Sequence, residues 1–246
     1  MRKMPLLRNT TLIVAALALA VILVCCPPPA MAVPTFIAYD VPTGAVGNQA
    51  YGGSLGMDFD VNVANSLVYV TSLGVFDSGQ DGINGTTLYV TIYDRITQKR
   101  MIDPVSFSGS SGSLDGNSFG SYLINGSRFI DLPTPLFLPA GEYSVVAWGY
   151  NRLEKNGNKY YDPSFSSTMD SGGGLISFVG SSRYSDRYGT PGVYPTTVDF
   201  GPANQYYAGT FIYEDPPTVP EPGTLLLLGS GLVGLGGLAW RRQRRA

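Results

Sequence analysis

Short runs of alternating apolar and polar residues, cut off by glycine, proline and asparagine, set the tightest limit on how this chain can fold. Ser66–Leu73, Thr86–Tyr93, Arg128–Leu132, Glu142–Tyr150 and Tyr207–Tyr213 read as strands. Alternation is the period of a strand with one buried face, because successive Cβ atoms point to opposite sides. Helical spacing of apolar residues is absent from the central region. Asn-Gly pairs beginning at Asn84, Asn125 and Asn156 predict tight turns, since both residue types accept positive φ cheaply. The sequence therefore predicts an all-β domain over residues 33–215, an antiparallel β-sandwich of jelly-roll-like build.

The two ends read differently. Arg2, Lys3 and Arg8 precede an apolar run, Thr11–Val24. Ala30 and Ala32 then place small side chains at the two positions a signal peptidase reads, which predicts a signal peptide over 1–32. Cys25 and Cys26 invite a lipoprotein reading, but Val24 stands where a lipid-attachment site needs a small residue. Cleavage after Ala32 removes both cysteines. Disulfides, cysteine nucleophiles and thiolate metal sites then drop out together.

At the other end, a Pro-rich linker over 216–223 leads into Thr224–Trp240, 17 residues without a charge. As a helix this segment is about 25 Å long, against a hydrocarbon core of about 30 Å, so it predicts a transmembrane helix over 224–240. Trp240 stands where an interfacial aromatic would. Arg241, Arg242, Arg244 and Arg245 follow, which the positive-inside rule places in the cytoplasm as residues 241–246. Pro220 and Pro222 restrict their own φ and disfavour helix in the residue before each, so Glu221 is expected to be extended. Read from physics alone, the tail is a membrane anchor.

Val219, Pro220, Glu221 and Pro222, the Gly-rich apolar helix and the arginine cluster together resemble the PEP-CTERM sorting signal of exported bacterial proteins. The resemblance implies a partner, an exosortase, which is a membrane cysteine protease that processes the tail near the Pro-Glu-Pro. It also implies transit through the inner membrane and delivery to the cell surface or extracellular matrix. On this reading the tail residues belong to a substrate.

Charge bears on partners. Seven of the 16 basic residues lie in the terminal segments, so residues 33–221 keep 9 basics against all 18 acids, a net of −9. Such a domain is repelled by nucleic acid and by anionic membranes, which excludes nucleic-acid binding.

Three further segments are Val68–Asp77 (VYVTSLGVFD), Leu88–Asp94 (LYVTIYD) and Pro135–Tyr143 (PLFLPAGEY). In this order they resemble a sandwich domain of unknown function that recurs in secreted bacterial proteins, over roughly residues 45–150. That resemblance implies fold and no activity.

The chain contains no histidine. This removes the usual general base, the Ser-His-Asp triad and the commonest zinc ligand. Gly116-Asn-Ser118-Phe-Gly120 matches the G-x-S-x-G nucleophile pattern, but it reads as a flexible Ser/Gly-rich loop without strand-turn-helix context. Carboxylate-only chemistry needs two acids flanking a sugar bond. Asp58, Asp60, Asp77, Asp81, Asp94 and Asp103 are available, each with an ordinary reading as a strand or turn residue. Asp77, Asp81 and Asn84 place hard oxygens in one loop, a candidate calcium site without EF-hand spacing and equally an Asx-rich connection. No other cofactor is expected. Tyr160, Tyr161, Tyr184, Tyr188 and Tyr194 lie among Asn, Asp and Arg, a composition that suits polysaccharide and also suits plain packing. Three readings result: a structural surface or matrix component, a lectin-like module, and a glycan-active enzyme. The domain is expected to be non-catalytic.

Overall fold

The computed structural model describes residues 33–62, 67–185 and 189–215, together with Gly231. The expected signal peptide, Pro-rich linker and arginine cluster, and all of the expected transmembrane helix but Gly231, lie outside the described residues. Among the described residues no helix is long and apolar enough to cross a membrane.

The regular elements of the central region are strands, and every pairing between them is antiparallel. One sheet has five strands, in the order β1 (Thr35–Ile37), β17 (Gly209–Glu214), β4 (Val68–Phe76), β10 (Ser127–Leu138) and β9 (Tyr122–Ile124). The other begins with β15 (Thr197–Asp199), β14 (Ile176–Tyr184), β3 (Leu55–Val61) and β11 (Gly141–Trp148). It continues through β5 (Ile83–Asp94), β6 (Val105–Gly109), β7 (Ser111–Leu114) and β8 (Asn117–Gly120). Two small ladders pair β2 (Tyr39–Asp40) with β13 (Thr168–Met169), and β12 (Gly157–Asn158) with β16 (Tyr206–Tyr207).

Eight of these strands explain the topology. The pairs β1–β17, β3–β11, β4–β10 and β5–β6 are nested, first with last and innermost with innermost. That is one long hairpin rolled over on itself, the jelly-roll arrangement of two Greek keys. The expected all-β sandwich is therefore the observed one. Strands β14 and β15 widen one edge of the larger sheet, and β7 and β8 the other.

Inward-facing residues of both sheets make the core. Leu55, Met57, Phe59 and Val61 alternate along β3, and Leu88, Val90 and Ile92 along β5, all at most 3 % exposed. Phe59 meets Phe211 of β17 across the sandwich at 4.7 Å between ring centroids. In β4 the buried set runs Val68, Val70, then Leu73, Val75, so the alternation slips by one residue. The ladders to β10 and β17 both skip Thr71, and this bulge turns the rest of the strand back to the core. Pro133 and Pro135 sit where the β10 ladder breaks, as residues that donate no hydrogen bond must.

Two of the three expected Asn-Gly turns differ. Asn125 is a hairpin tip between β9 and β10, with φ at 50°. Asn84 lies inside β5 at an irregularity, where Gly85 takes the positive φ. Asn156 is fully buried and bridges to Gln49. The Gly116–Gly120 segment is likewise no loose loop. Asp115 and Gly116, both at positive φ, form the tip of the β7–β8 hairpin, and exposed Ser118 lies on its edge strand.

Candidate functional site

One end of the sandwich gathers the connections that follow β4, β9, β11 and β16. Asp77, the residue after β4, is fully buried. Its Oδ2 accepts from Arg128 Nε and Nη2, each at 2.9 Å, and from the Gly82 amide at 3.2 Å. Glu154 comes in from the connection after β11 and accepts from the amides of Ser78 at 2.7 Å and Asn84 at 3.2 Å. Burial pushes the Glu154 carboxyl up to about 7; those amides oppose the shift, and the charges of Asp77 and Asp81 add to it. The Asn48 side chain donates to the Asn158 carbonyl and accepts from its backbone amide, while Gln49 Oε1 accepts from the side-chain amides of Asn156 and Asn158. The loop end is thus rigid beneath its surface.

A groove of about 410 Å³ opens at this end, lined by Pro42–Val46, Asp162, Ser164–Ser166 and Tyr207. Its volume falls in the range of small-molecule sites, about 300–1,000 Å³. Phe165 and Tyr207 lie 5.0 Å apart, centroid to centroid. Asp162 caps its own turn, with Oδ1 accepting from the Ser164 amide at 2.9 Å and hydroxyl at 2.7 Å. Those bonds hold its carboxyl below the usual value. Tyr207 is 2 % exposed, and its hydroxyl is buried without a hydrogen-bond partner among the described residues. Burial and the nearby Asp162 charge both raise its pKa.

The structure disperses the tyrosines that the sequence grouped. Tyr160 and Tyr161 form an exposed edge-to-face pair at 5.5 Å, on the connection that continues to Asp162. Tyr184 packs edge-on against Tyr51 beside the core. Tyr194 lies on the outer face of the larger sheet, against Tyr93 and under Arg183. Tyr188 lies outside the described residues. Phe165, Tyr207 and Asp162 were missed. Tyr207 reads as an ordinary strand residue, and Asp162-Pro-Ser164 reads as an ordinary turn.

The candidate calcium residues are differently employed. Asp77 points inward to Arg128, Asp81 is exposed, and the Asn84 side-chain amide donates to the Asp81 carbonyl at 3.5 Å. No group of three or more acidic side chains suited to a metal occurs among the described residues. The candidate catalytic acids are also occupied. Asp58 is fully buried, 2.7 Å from Arg183 Nε and 3.7 Å from Arg95, which also pairs with Asp60 and Glu142. Asp94 caps the amides of Ile96 and Thr97, and Asp103 is exposed.

The model of the PEP-CTERM protein-sorting motif matches residues 218–245. The chain carries a PEP-CTERM sorting motif. Val219, Pro220, Glu221, Pro222, Trp240, Arg241, Arg242, Arg244 and Arg245 all fall inside that match, and all lie outside the described residues. The motif implies an exosortase as the processing partner of this chain and transit through the membrane to the cell surface. Neither a curated protein nor a solved structure matches the chain. Thr35 and Glu214 are paired, so the chain enters and leaves the sandwich side by side. Tyr207, in β16, lies two residues before β17 begins, about 20 Å from Glu214 at the rise of an extended chain.

Proposed function

We propose that this protein is a non-catalytic component of the cell surface or exopolysaccharide matrix, carried through the inner membrane and processed by an exosortase at its Pro-Glu-Pro. The observation that carries the non-catalytic reading is the use already made of the buried carboxylates. Asp58 and Asp77 are held by arginines, and Glu154 by backbone amides. A glycosidase needs two acids facing an open cleft, one of them free to give up a proton. Buried carboxylates tied in this way to arginines and backbone amides suit display.

The test is fractionation of the native host. Wild-type protein is expected in the surface or matrix fraction, shorter than the full chain. Glu221→Ala and Pro222→Ala are expected to leave the full-length, membrane-bound form. Unchanged release by both variants contradicts the processing step, and glycan turnover that is lost in an Asp→Asn variant contradicts the non-catalytic reading. A lectin-like role is the second reading. The groove favours it, because aromatic rings, hydroxyls and a carboxylate sit at the end of the sandwich remote from where the chain enters and leaves.

A further inference from the structure

We propose that the groove between the 42–46 loop and the 162–166 turn binds glycan, and that it selects neutral or amino sugars over uronic acids. The inference rests on the lectin-like reading and gives it a site and a ligand class.

Three observations converge there. The first is shape with suitable lining. A space of about 410 Å³ is lined by Phe165 and Tyr207 and by Thr43, Ser164 and Ser166; the Thr43 and Ser164 hydroxyls donate to Asn125 and Asp162 and keep lone pairs to accept with. Sugar rings present C–H faces to aromatic rings and hydroxyls to polar rims. The second is Asp162. Its Oδ1 is taken by Ser164, while Oδ2 has no protein partner among the described residues. An ionised carboxylate accepts hydrogen bonds and donates none, so it pairs with hydroxyl or ammonium groups and repels another carboxylate.

The third is Tyr207, which lines the groove and whose hydroxyl, near enough to feel the Asp162 charge, is buried without a hydrogen-bond partner among the described residues. Buried polar groups are nearly always satisfied, so an orphan of this kind needs a reason. A sugar hydroxyl, or a water held by one, supplies the missing partner once the exposed rim at Pro42 and Thr43 gives way. Charge completes the selection. Residues 33–215 carry 17 acids against 9 basics, so a polyanion meets a repulsive field before it reaches Asp162.

The experiment uses the full chain in detergent micelles, titrated by calorimetry with dextran, chitosan oligomers and alginate. Saturable binding to dextran or the chitosan oligomers, and not to alginate, is expected. Asp162→Asn weakens it roughly tenfold through loss of a charge-assisted bond, and Phe165→Ala weakens it at least as much. Tyr207→Phe weakens it about threefold while raising Tm, because the orphan is gone. Asp103→Asn, an exposed acid elsewhere, leaves affinity unchanged and controls for general attraction to the cationic oligomer. Absence of saturable binding to either neutral or amino polymer overturns the proposal. So does a preference for alginate, or affinity that survives both Asp162→Asn and Phe165→Ala. A protein found at the cell surface that binds none of these polymers loses the site and keeps the surface role. One that binds without being exported keeps the site and loses that role.

Discussion

Two aromatic clusters in this protein treat a buried tyrosine hydroxyl in opposite ways. On the outer face of the larger sheet, Tyr89 stacks on Trp148 at 5.3 Å, Tyr194 leans on Tyr93, and Arg100 lies over both Tyr93 and Trp148. There the Tyr93 hydroxyl is held on two sides. The Tyr93 hydroxyl donates to the Gly192 carbonyl at 3.2 Å, and Arg100 donates to the same oxygen at 2.6 Å and to Tyr93 at 3.0 Å. At the loop end, Phe165 and Tyr207 border open space, and the Tyr207 hydroxyl has no partner among the described residues. The first cluster is a small second core that pins the 189–196 segment to the sheet. The second is built like a place something else occupies. Aromatic content alone does not separate the two; the account of donors and acceptors does.

The strongest way to break the comparison is to attack the ion pair under each cluster. Arg128 is the arginine paired with Asp77, whereas Asp58 has both Arg183 and Arg95. Arg128→Met strands a fully buried carboxylate and is expected to cost about 3–5 kcal/mol. Arg183→Met costs less, because Arg95 remains. Chemical denaturation of both variants checks the order. An Arg183→Met protein less stable than Arg128→Met would mean that the outer face, and not the loop end, depends on its charges.

Next in size is Trp148→Ala. Trp148 is 8 % exposed and stacked, so truncation is expected to cost about 3 kcal/mol while leaving any glycan affinity intact. Phe165→Ala should show the reverse, with a small stability loss and a large affinity loss. Equal stability losses in a melting experiment would erase the proposed difference between a structural and a ligand-facing cluster.

A pH series sharpens the account of the loop end. Glu154 sits near 7 in the folded protein against an ordinary 4.5. Between those values the unfolded chain ionises this group and the folded chain keeps its proton. Its contribution to stability is therefore complete below pH 4.5 and is lost as pH rises through 7. Tm is expected to fall across that window, and Glu154→Gln to flatten that part of the profile. A profile unchanged by Glu154→Gln would assign the slope to other groups.

How much of this was legible in the sequence follows from which interactions are local. Alternation along β5, and along β4 up to its bulge, is written residue by residue, so the all-β sandwich could be read directly although β3 was not among the expected strands. The nesting of β1 with β17 could not, because it joins Thr35 to Glu214 across the whole domain. Asn84-Gly and Asn156-Gly carried the same local turn signal as Asn125-Gly. One was absorbed into a strand irregularity and the other into a buried bridge to Gln49, where tertiary hydrogen bonds outweighed local preference. Asp77 looked like a metal ligand until Arg128, 51 residues away, proved to be its partner. The groove was invisible for the same reason: Pro42, Asp162 and Tyr207 meet only through the fold. The sorting motif needed no fold, being contiguous, and was readable in full.

The smallest effect is also the most discriminating. Tyr207→Phe deletes one oxygen that the resting protein does not use. Removing a buried hydroxyl that has a partner costs about 1 kcal/mol, whereas removing one without a partner is neutral or stabilising. For a domain of this size, 1 kcal/mol moves Tm by about 2–4 °C. Tyr93→Phe is the matched control on the outer face, because its hydroxyl bonds both Gly192 and Arg100. Tyr93→Phe is expected to lower Tm by that amount and Tyr207→Phe to hold or raise it. A drop of equal size in both would mean that the Tyr207 hydroxyl has a partner in solution, such as a trapped water, and the two clusters would then be alike in kind.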